Sequence, residues 1–253
     1  MSNPLVRAIE TVGAVSGFTM QLARCIVTGP RYLRETIRMM ELLARRCLVP
    51  VGLAVAPVAG VIALQGVQAF REYGVEGLLS SMLATSILRQ YSPTLASIMV
   101  AAQAGSSIAA RIGTMRVRGQ IDALAVMSVD PLRYVVVPGL IACMIVTPLL
   151  NVIATFLGIV SGWFFAVPVA GINDGAFFDN LYSQVTPLDL WIGMGKCAFY
   201  GAGVGLIAGY VGMATTGGAA GVGRAANRTV VYTIILILVA DFVIGTLLLN
   251  QGL

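Results

Sequence analysis

The chain has 253 residues, 58% of them hydrophobic and 11% charged, and its mean hydropathy is +0.89. A soluble domain carries about 25% charged residues, so this composition excludes a solvated globular enzyme and makes lipid the solvent. With no histidine, imidazole acid–base and imidazole metal chemistry are excluded, and the formal net charge of +5 fits arginines flanking membrane spans better than nucleic acid.

Lipid admits only helices and closed barrels, because it cannot satisfy free backbone groups. The apolar runs here are continuous and long, which selects an all-α integral membrane protein. The N-terminal MSNPLVRAIETVG lacks the uninterrupted apolar core of a cleavable signal peptide. From Arg31 to Arg46, Leu33, Ile37, Met40 and Leu43 recur at helical spacing among five arginines, with Pro30 placed to start a helix. This predicts an amphipathic helix in the membrane interface. Five apolar spans follow, over about Cys47–Phe70, Leu78–Ala110, Tyr134–Val167, Leu190–Ala214 and Thr229–Leu249, with Pro93, Pro138 and Pro148 as kink sites. The division expected is residues 1–46 cytoplasmic or interfacial and 47–253 a single five-span region. Cys25, Cys47, Cys143 and Cys197 form no CxxC pair and read as buried thiols.

The segments flanking the spans alternate in charge. Residues 1–46 net +4, residues 71–77 −1, residues 111–133 +2, residues 167–189 −3 and residues 215–228 +2. The positive-inside rule puts the N-terminus and both later basic segments in the cytoplasm and the C-terminus outside. No internal repeat is visible.

Three groups of residues stand out. In the 111–133 segment, Ile121, Leu124 and the Val126–Met127 pair fall on one helical face while Arg116, Arg118, Gln120 and Asp122 lie elsewhere, as in a docking helix for a cytoplasmic partner. Inside the spans, Arg89, Lys196 and Asp241 are costly unless they face protein or water. Arg89 and Asp241 are read as a balanced pair near an anionic ligand or as a packing pair, and Lys196 as snorkelling toward the outer surface. Gly201, Gly205 and Gly209 form one close-packing ridge, and Gly158 with Gly162 another. Gly217, Gly218, Gly221 and Gly223 lack the Lys-[Ser/Thr] of a phosphate-binding loop and read as a flexible connector. Between Trp163 and Trp191, the segment with Phe177, Phe178, Leu181 and Tyr182 fits an outer interfacial belt or a partner contact equally well.

The stretch AGSSIAARIGTMRVRGQIDALAVMSVDPLRYVVVP (104–138) resembles the signature region of the MlaE/YrbE permease family, and GVGRAANRTVVYTIILILVADFVIG (221–245) resembles its final loop and last helix. ILRQYSPTLAS (87–97) is similar to its second-helix motif, with Arg89–Gln90 where relatives read Arg-Glu. Arg111, Gly119 and Ala125 stand where the family has acidic residues.

The resemblance implies a permease subunit of a lipid ABC transporter in the bacterial inner membrane, not an enzyme itself. It implies a dimer with a second copy or a paralogue, a cytoplasmic ABC ATPase that binds ATP and magnesium, an extracytoplasmic MCE-domain protein, and phospholipid or another long-chain lipid as cargo. No cofactor and no nucleic acid are implied for this chain. Gly113–Ser128 would be the coupling helix, with Gly113, Arg116, Arg118, Gln120, Ile121, Asp122, Leu124 and Met127 as ATPase-coupling candidates. Arg89, Gln90, Pro93 and Asp241 would belong to the lipid cavity, walled by side chains such as Met82, Leu88, Ile98 and Met99. The other reading the residues allow is an ion- or proton-coupled carrier using Arg89 and Asp241.

Overall fold

A computed structural model describes residues 13, 16–25, 32–72, 74 and 78–250, and all regular structure among the described residues is helical. The elements are α1 (Leu33–Glu72), α2 (Leu79–Val117), α3 (Gln120–Val126), α4 (Leu132–Val169), α5 (Asp174–Gln184), α6 (Pro187–Met213) and α7 (Gly218–Asn250). Residues 16–25 form a further helical piece, whose Phe18 ring meets Tyr210 of α6 edge-on. Helices α1, α2, α4, α6 and α7 are long and apolar enough to cross a membrane, which agrees with the five spans expected.

The helices outrun the apolar runs that announce them. Helix α1 continues without interruption from Leu33, so the arginine-rich stretch expected as a separate interfacial helix is its first turns; Pro30 and Arg31 lie outside the described residues. The cause is local, since residues 33–49 contain no Gly or Pro and are rich in Leu, Met, Arg and Glu, all good helix formers. Helix α7 begins at Gly218 instead of near Thr229, so only Gly217 of the glycine-rich segment remains in the connector. Gly217 and Gly218 hold φ of +86° and +65°, a conformation open to glycine at little cost.

Helices α2 and α4 contain wide turns, with i→i+5 bonding, at Ile87–Tyr91, Ala101–Gly105, Leu132–Val136 and Phe165–Val169. Pro93 and Pro138 each follow one closely. A proline removes an amide and crowds the carbonyl four residues back, and a wide turn relieves both. Pro148, by contrast, sits inside regular α4.

Helix α4 is the centre of the bundle. Its most apolar window is 56% buried, against 17% for α7, so α7 presents most of its surface outward. The main core joins Leu43 and Val51 of α1, Val100 and Ile108 of α2, Leu140 and Leu150 of α4, and Tyr200 and Val204 of α6. Outward-facing side chains such as Leu53 and Phe156 are at home in hydrocarbon. Both glycine ridges serve packing within the chain. A Cβ on Gly201 would fall 2.5 Å from the Cys143 carbonyl, one on Gly205 2.6 Å from Leu140 Cα, and one on Gly209 would strike Val136. Gly158 and Gly162 likewise admit Ile87, Val55 and Leu83 against α4.

Because Gly205 meets backbone, which cannot rotate away, Gly205→Leu is expected to destabilise the bundle by roughly 3 kcal/mol or more. Thermal unfolding in nanodiscs measures this, with Gly195→Ala as control: a Cβ there meets nothing within 4 Å, and the midpoint should not move.

Candidate functional site

The wide turn at Ile87–Tyr91 and Pro93 together disturb the backbone of α2 where α6 and α7 meet it. The Ser92 amide reaches back to the Ile87 carbonyl, and Pro93 has no amide to offer. The carbonyl of Arg89, four residues before Pro93, thereby loses its helical donor. Lys196 of α6 replaces it, with Nζ 3.0 Å from Arg89 O. Helix α6 comes this near because position 193 is glycine; a Cβ there would lie 2.8 Å from Leu88 O and 3.3 Å from the Pro93 ring.

Lys196 is 4% exposed, and its ammonium also lies 2.8 Å from Asp241 Oδ1 of α7. A buried ion pair is tolerable only when its remaining lone pairs are satisfied, and those of Asp241 are. Tyr200 OH donates to Oδ1 at 2.9 Å and Gln90 Nε2 to Oδ2 at 2.5 Å, while the single proton of the Thr94 hydroxyl is shared between Oδ2 at 2.8 Å and the Gln90 backbone carbonyl at 2.7 Å. Gln90 also accepts from Lys196, Nζ to Oε1 at 3.2 Å. Beside this network Arg89 Nε lies 2.5 Å from Asp189 Oδ1. Asp189 is anchored independently, since its Oδ2 accepts from the amide and hydroxyl of Thr186, both at 2.9 Å, at the start of α6. The Arg89 side chain is 34% exposed while that of Asp189 is 1% exposed, so the guanidinium is the accessible half of its pair.

Arg89, Gln90, Lys196 and Asp241 line a cavity of about 470 Å³, together with Thr85, Ser86 and the α7 residues Phe242, Gly245, Thr246 and Leu248. One wall is charged, with Arg89, Lys196 and Asp241 on it and Asp189 buried behind Arg89, and the other is apolar and continuous with the outward face of α7.

Three of the four cavity residues expected from sequence therefore converge. Pro93 does not line the cavity: it is buried against Gly193 and shapes the site through the backbone. Asp241 pairs with Lys196, not with Arg89, and Lys196 points into the bundle instead of snorkelling outward. The physical reason is the freed carbonyl of Arg89, which draws the ammonium inward. Met82, Leu88, Ile98 and Met99 are not on the wall; Leu88 is buried, Ile98 and Met99 pack on the main core, and Met82 faces outward. Sequence reading missed Asp189, Thr94 and Tyr200. Asp189 carries one signal, an acid three residues after Thr186 and two after Pro187, which marks a helix start.

The stretch Gly113–Ser128 is divided. Gly113 and Arg116 belong to the last turns of α2, Arg118 and Gly119 form a turn with Gly119 at φ +70°, and only Gln120–Val126 is the separate helix α3. Gly113 is buried against Thr215, where a Cβ would lie 2.9 Å from its hydroxyl. Arg116 and Asp122 pair across the turn at 2.6 Å. Ile121 anchors α3 in the core and Leu124 is half-buried, whereas Arg118, Gln120, Val126 and Met127 are exposed. The single apolar face expected is thus split, one residue inward and two outward: Val126 at 86% and Met127 at 66% exposure. Arg111 bonds Glu35 of α1 at 2.8 Å. The four cysteines are free, three of them buried, and no metal-holding group of His, Cys, Asp and Glu occurs among the described residues.

The family model "Permease MlaE" matches residues 36–247. A probable ABC transporter permease protein of Rickettsia felis is 33% identical over 96% of this chain and 93% of its own length. Protein TRIGALACTOSYLDIACYLGLYCEROL 1, chloroplastic, of Arabidopsis thaliana is 31% identical over 89% of this chain and 65% of its own. The intermembrane phospholipid transport system permease protein MlaE of Haemophilus influenzae is 29% identical over 85% of this chain and 83% of its own.

Truncating one member of the Lys196–Asp241 pair strands the other. Asp241→Ala is expected to cost roughly 3–5 kcal/mol, and Lys196→Met with Asp241→Leu together to recover only part of it, because the Arg89 carbonyl then lacks its donor. Denaturant unfolding of the single and double variants checks this; a double variant no more stable than Asp241→Ala would show that the pair is not the source.

Proposed function

Because the chain belongs to the MlaE permease family, we propose that it is the membrane subunit of an ABC transporter whose cargo is phospholipid or another long-chain lipid. A separate ATPase binds ATP and magnesium, an MCE-domain protein exchanges lipid on the extracytoplasmic side, and a second copy or a paralogue completes the permease pair. The name of the Haemophilus relative supports phospholipid and that of the Arabidopsis relative a diacylglycerol lipid. The alternating charge of the flanking segments supports an inner-membrane orientation with the N-terminus, α3 and the α6–α7 connector in the cytoplasm and the C-terminus outside.

The observation that carries the lipid reading is the two-sided cavity, charged on the α2–α6 wall and open to apolar surface beside Phe242. This suits an amphiphile. The headgroup phosphate meets Arg89, whose present partner Asp189 keeps its two Thr186 bonds when the guanidinium turns away; charge-assisted bonds from arginine to phosphate are strong and bidentate. The Lys196–Asp241 pair, with donors on both carboxylate oxygens, holds the wall in place while Arg89 exchanges partners. That engagement also counts against an ion- or proton-coupled carrier. On the cytoplasmic side, Val126 and Met127 of α3 are the contact offered to the ATPase, with Gly113, Arg116, Arg118, Gln120, Ile121, Asp122 and Leu124 setting the presentation. Motion of α3 reaches the cavity along α2, through the wide turns at Ala101–Gly105 and Ile87–Tyr91.

Two measurements test this. In proteoliposomes holding the complete complex, Arg89→Gln is expected to lower lipid transfer by about tenfold, the loss of one hydrogen bond to a charged group, and undiminished transfer would overturn the cavity assignment. Val126→Glu, which buries an unpaired carboxylate in any apolar groove, is expected to abolish co-purification of the ATPase.

A further inference from the structure

A second cavity, of about 400 Å³, lies at the other end of α7, between its first turns and the last turn of α6. Tyr210, Thr215 and Thr216 form one side and Arg224, Arg228 and Tyr232 the other. Among the described residues neither arginine has a carboxylate within ion-pair distance, a state shared with Arg34, Arg38, Arg46 and Arg118, but only Arg224 and Arg228 line this cavity. Two guanidinium groups four residues apart sit on one helical face, and like charges held together without a counter-ion favour an anion between them. The same face continues along α7. Tyr232, Ile235, Val239 and Phe242 follow Arg228 at helical spacing, and each is at least half exposed. The stripe thus runs from two arginines, through an interfacial tyrosine, over apolar surface, to Phe242 on the wall of the first cavity.

We propose that the Arg224–Arg228 cavity binds the phosphate of an anionic lipid headgroup from the leaflet at this end of the bundle, with the acyl chains laid along Ile235 and Val239. A phosphate ester is the chemistry two arginines without a carboxylate and the flanking hydroxyls of Tyr210, Thr216 and Tyr232 recognise, that of Thr215 being engaged by the Val211 carbonyl. The apolar stripe beyond them selects a lipid over a soluble phosphate. The site is separate from the Arg89 cavity and needs only that α7 face lipid; naming a lipid here does not require that lipid be transported.

The test uses the full chain in nanodiscs with two photoreactive probes of equal chain length, a phosphatidylglycerol and a phosphatidylcholine, and maps the labelled peptides. Phosphatidylglycerol is expected to label the segments around Tyr210 and Tyr232 in preference to phosphatidylcholine. Replacing both arginines (Arg224→Gln with Arg228→Gln) should cut that labelling by about fivefold per arginine, while Arg224→Lys with Arg228→Lys keeps the charge and most of the labelling. Labelling near Thr85 and Thr246 reports the Arg89 cavity separately: its persistence in the glutamine variant shows an intact fold, and its loss in Arg89→Gln alone leaves the second site untouched. Equal labelling by the two lipids, or undiminished labelling of the glutamine variant, overturns the proposal. Abolition by excess inorganic phosphate overturns the choice of a lipid in favour of a soluble anion.

Discussion

A backbone carbonyl inside hydrocarbon has no water to turn to, so one that loses its helical donor must find another. Pro93 creates that need at Arg89, and the wide turn before it widens the gap by directing the Ser92 amide to Ile87. The ammonium of Lys196 meets the need at 3.0 Å. A buried cation then requires an anion, which is Asp241, and a buried carboxylate requires donors on both oxygens, which are Tyr200, Gln90 and Thr94. One missing amide in α2 therefore accounts for the placement of a residue on α6 and another on α7. The charged wall is the consequence of a backbone irregularity and not an independent feature beside it.

The same demand fixes how the helices pack. For Lys196 to reach α2 its helix must lie almost in contact, and Gly193 allows this. Further along the helix Gly201 and Gly205 hold α6 against the backbone of α4 and Gly209 against its Val136 side chain, so α6 is gripped on two sides. In lipid, where apolar burial gives little preference for helix over tail, such close backbone contact and buried polar bonds supply the association. Helix α7 lacks such a ridge and is held by a narrow buried stripe, Ala225, Thr229, Thr233, Ile237 and Asp241. The rest of its surface faces outward.

What sequence could show follows from this division. Hydropathy marks five spans because the apolar runs are long, and glycine spacing marks both ridges because small residues repeat at one helical period. Arg89, Gln90 and Asp241 stand out as polar groups inside spans. Partner choice was not legible: charge counting names a set of ions without pairing them, and each wide turn inserts an extra residue, which rotates everything beyond it by about 100° relative to a regular helix. Arg89 lies inside such a turn, so its apparent face in a 3.6-residue projection is not its actual one. The division of Gly113–Ser128 had a visible cause in Gly119, but a glycine within a helical pattern does not announce whether it bends, ends or merely weakens the helix. The unbroken α1 shows the reverse case, in which both hydropathy and helix propensity change after Cys47, with Pro50 and Pro57 inside the helix, yet the helix runs on.

The glutamine at position 90 bears on the charge of the cavity wall. A glutamate there would set three carboxylates, with Asp189 and Asp241, against Arg89 and Lys196, and leave the network with a net negative charge. Glutamine makes the count even, and its amide works in both directions, with Nε2 donating to Asp241 and Oε1 accepting from Lys196. No other orientation of that amide satisfies both neighbours. A balanced wall does not repel a phosphate, and the one cation on it with exposed surface is Arg89. In a medium of low dielectric constant an uncompensated carboxylate beside the Lys196–Asp241 pair would be unfavourable. Glutamine at position 90 thus closes the network without adding charge to it.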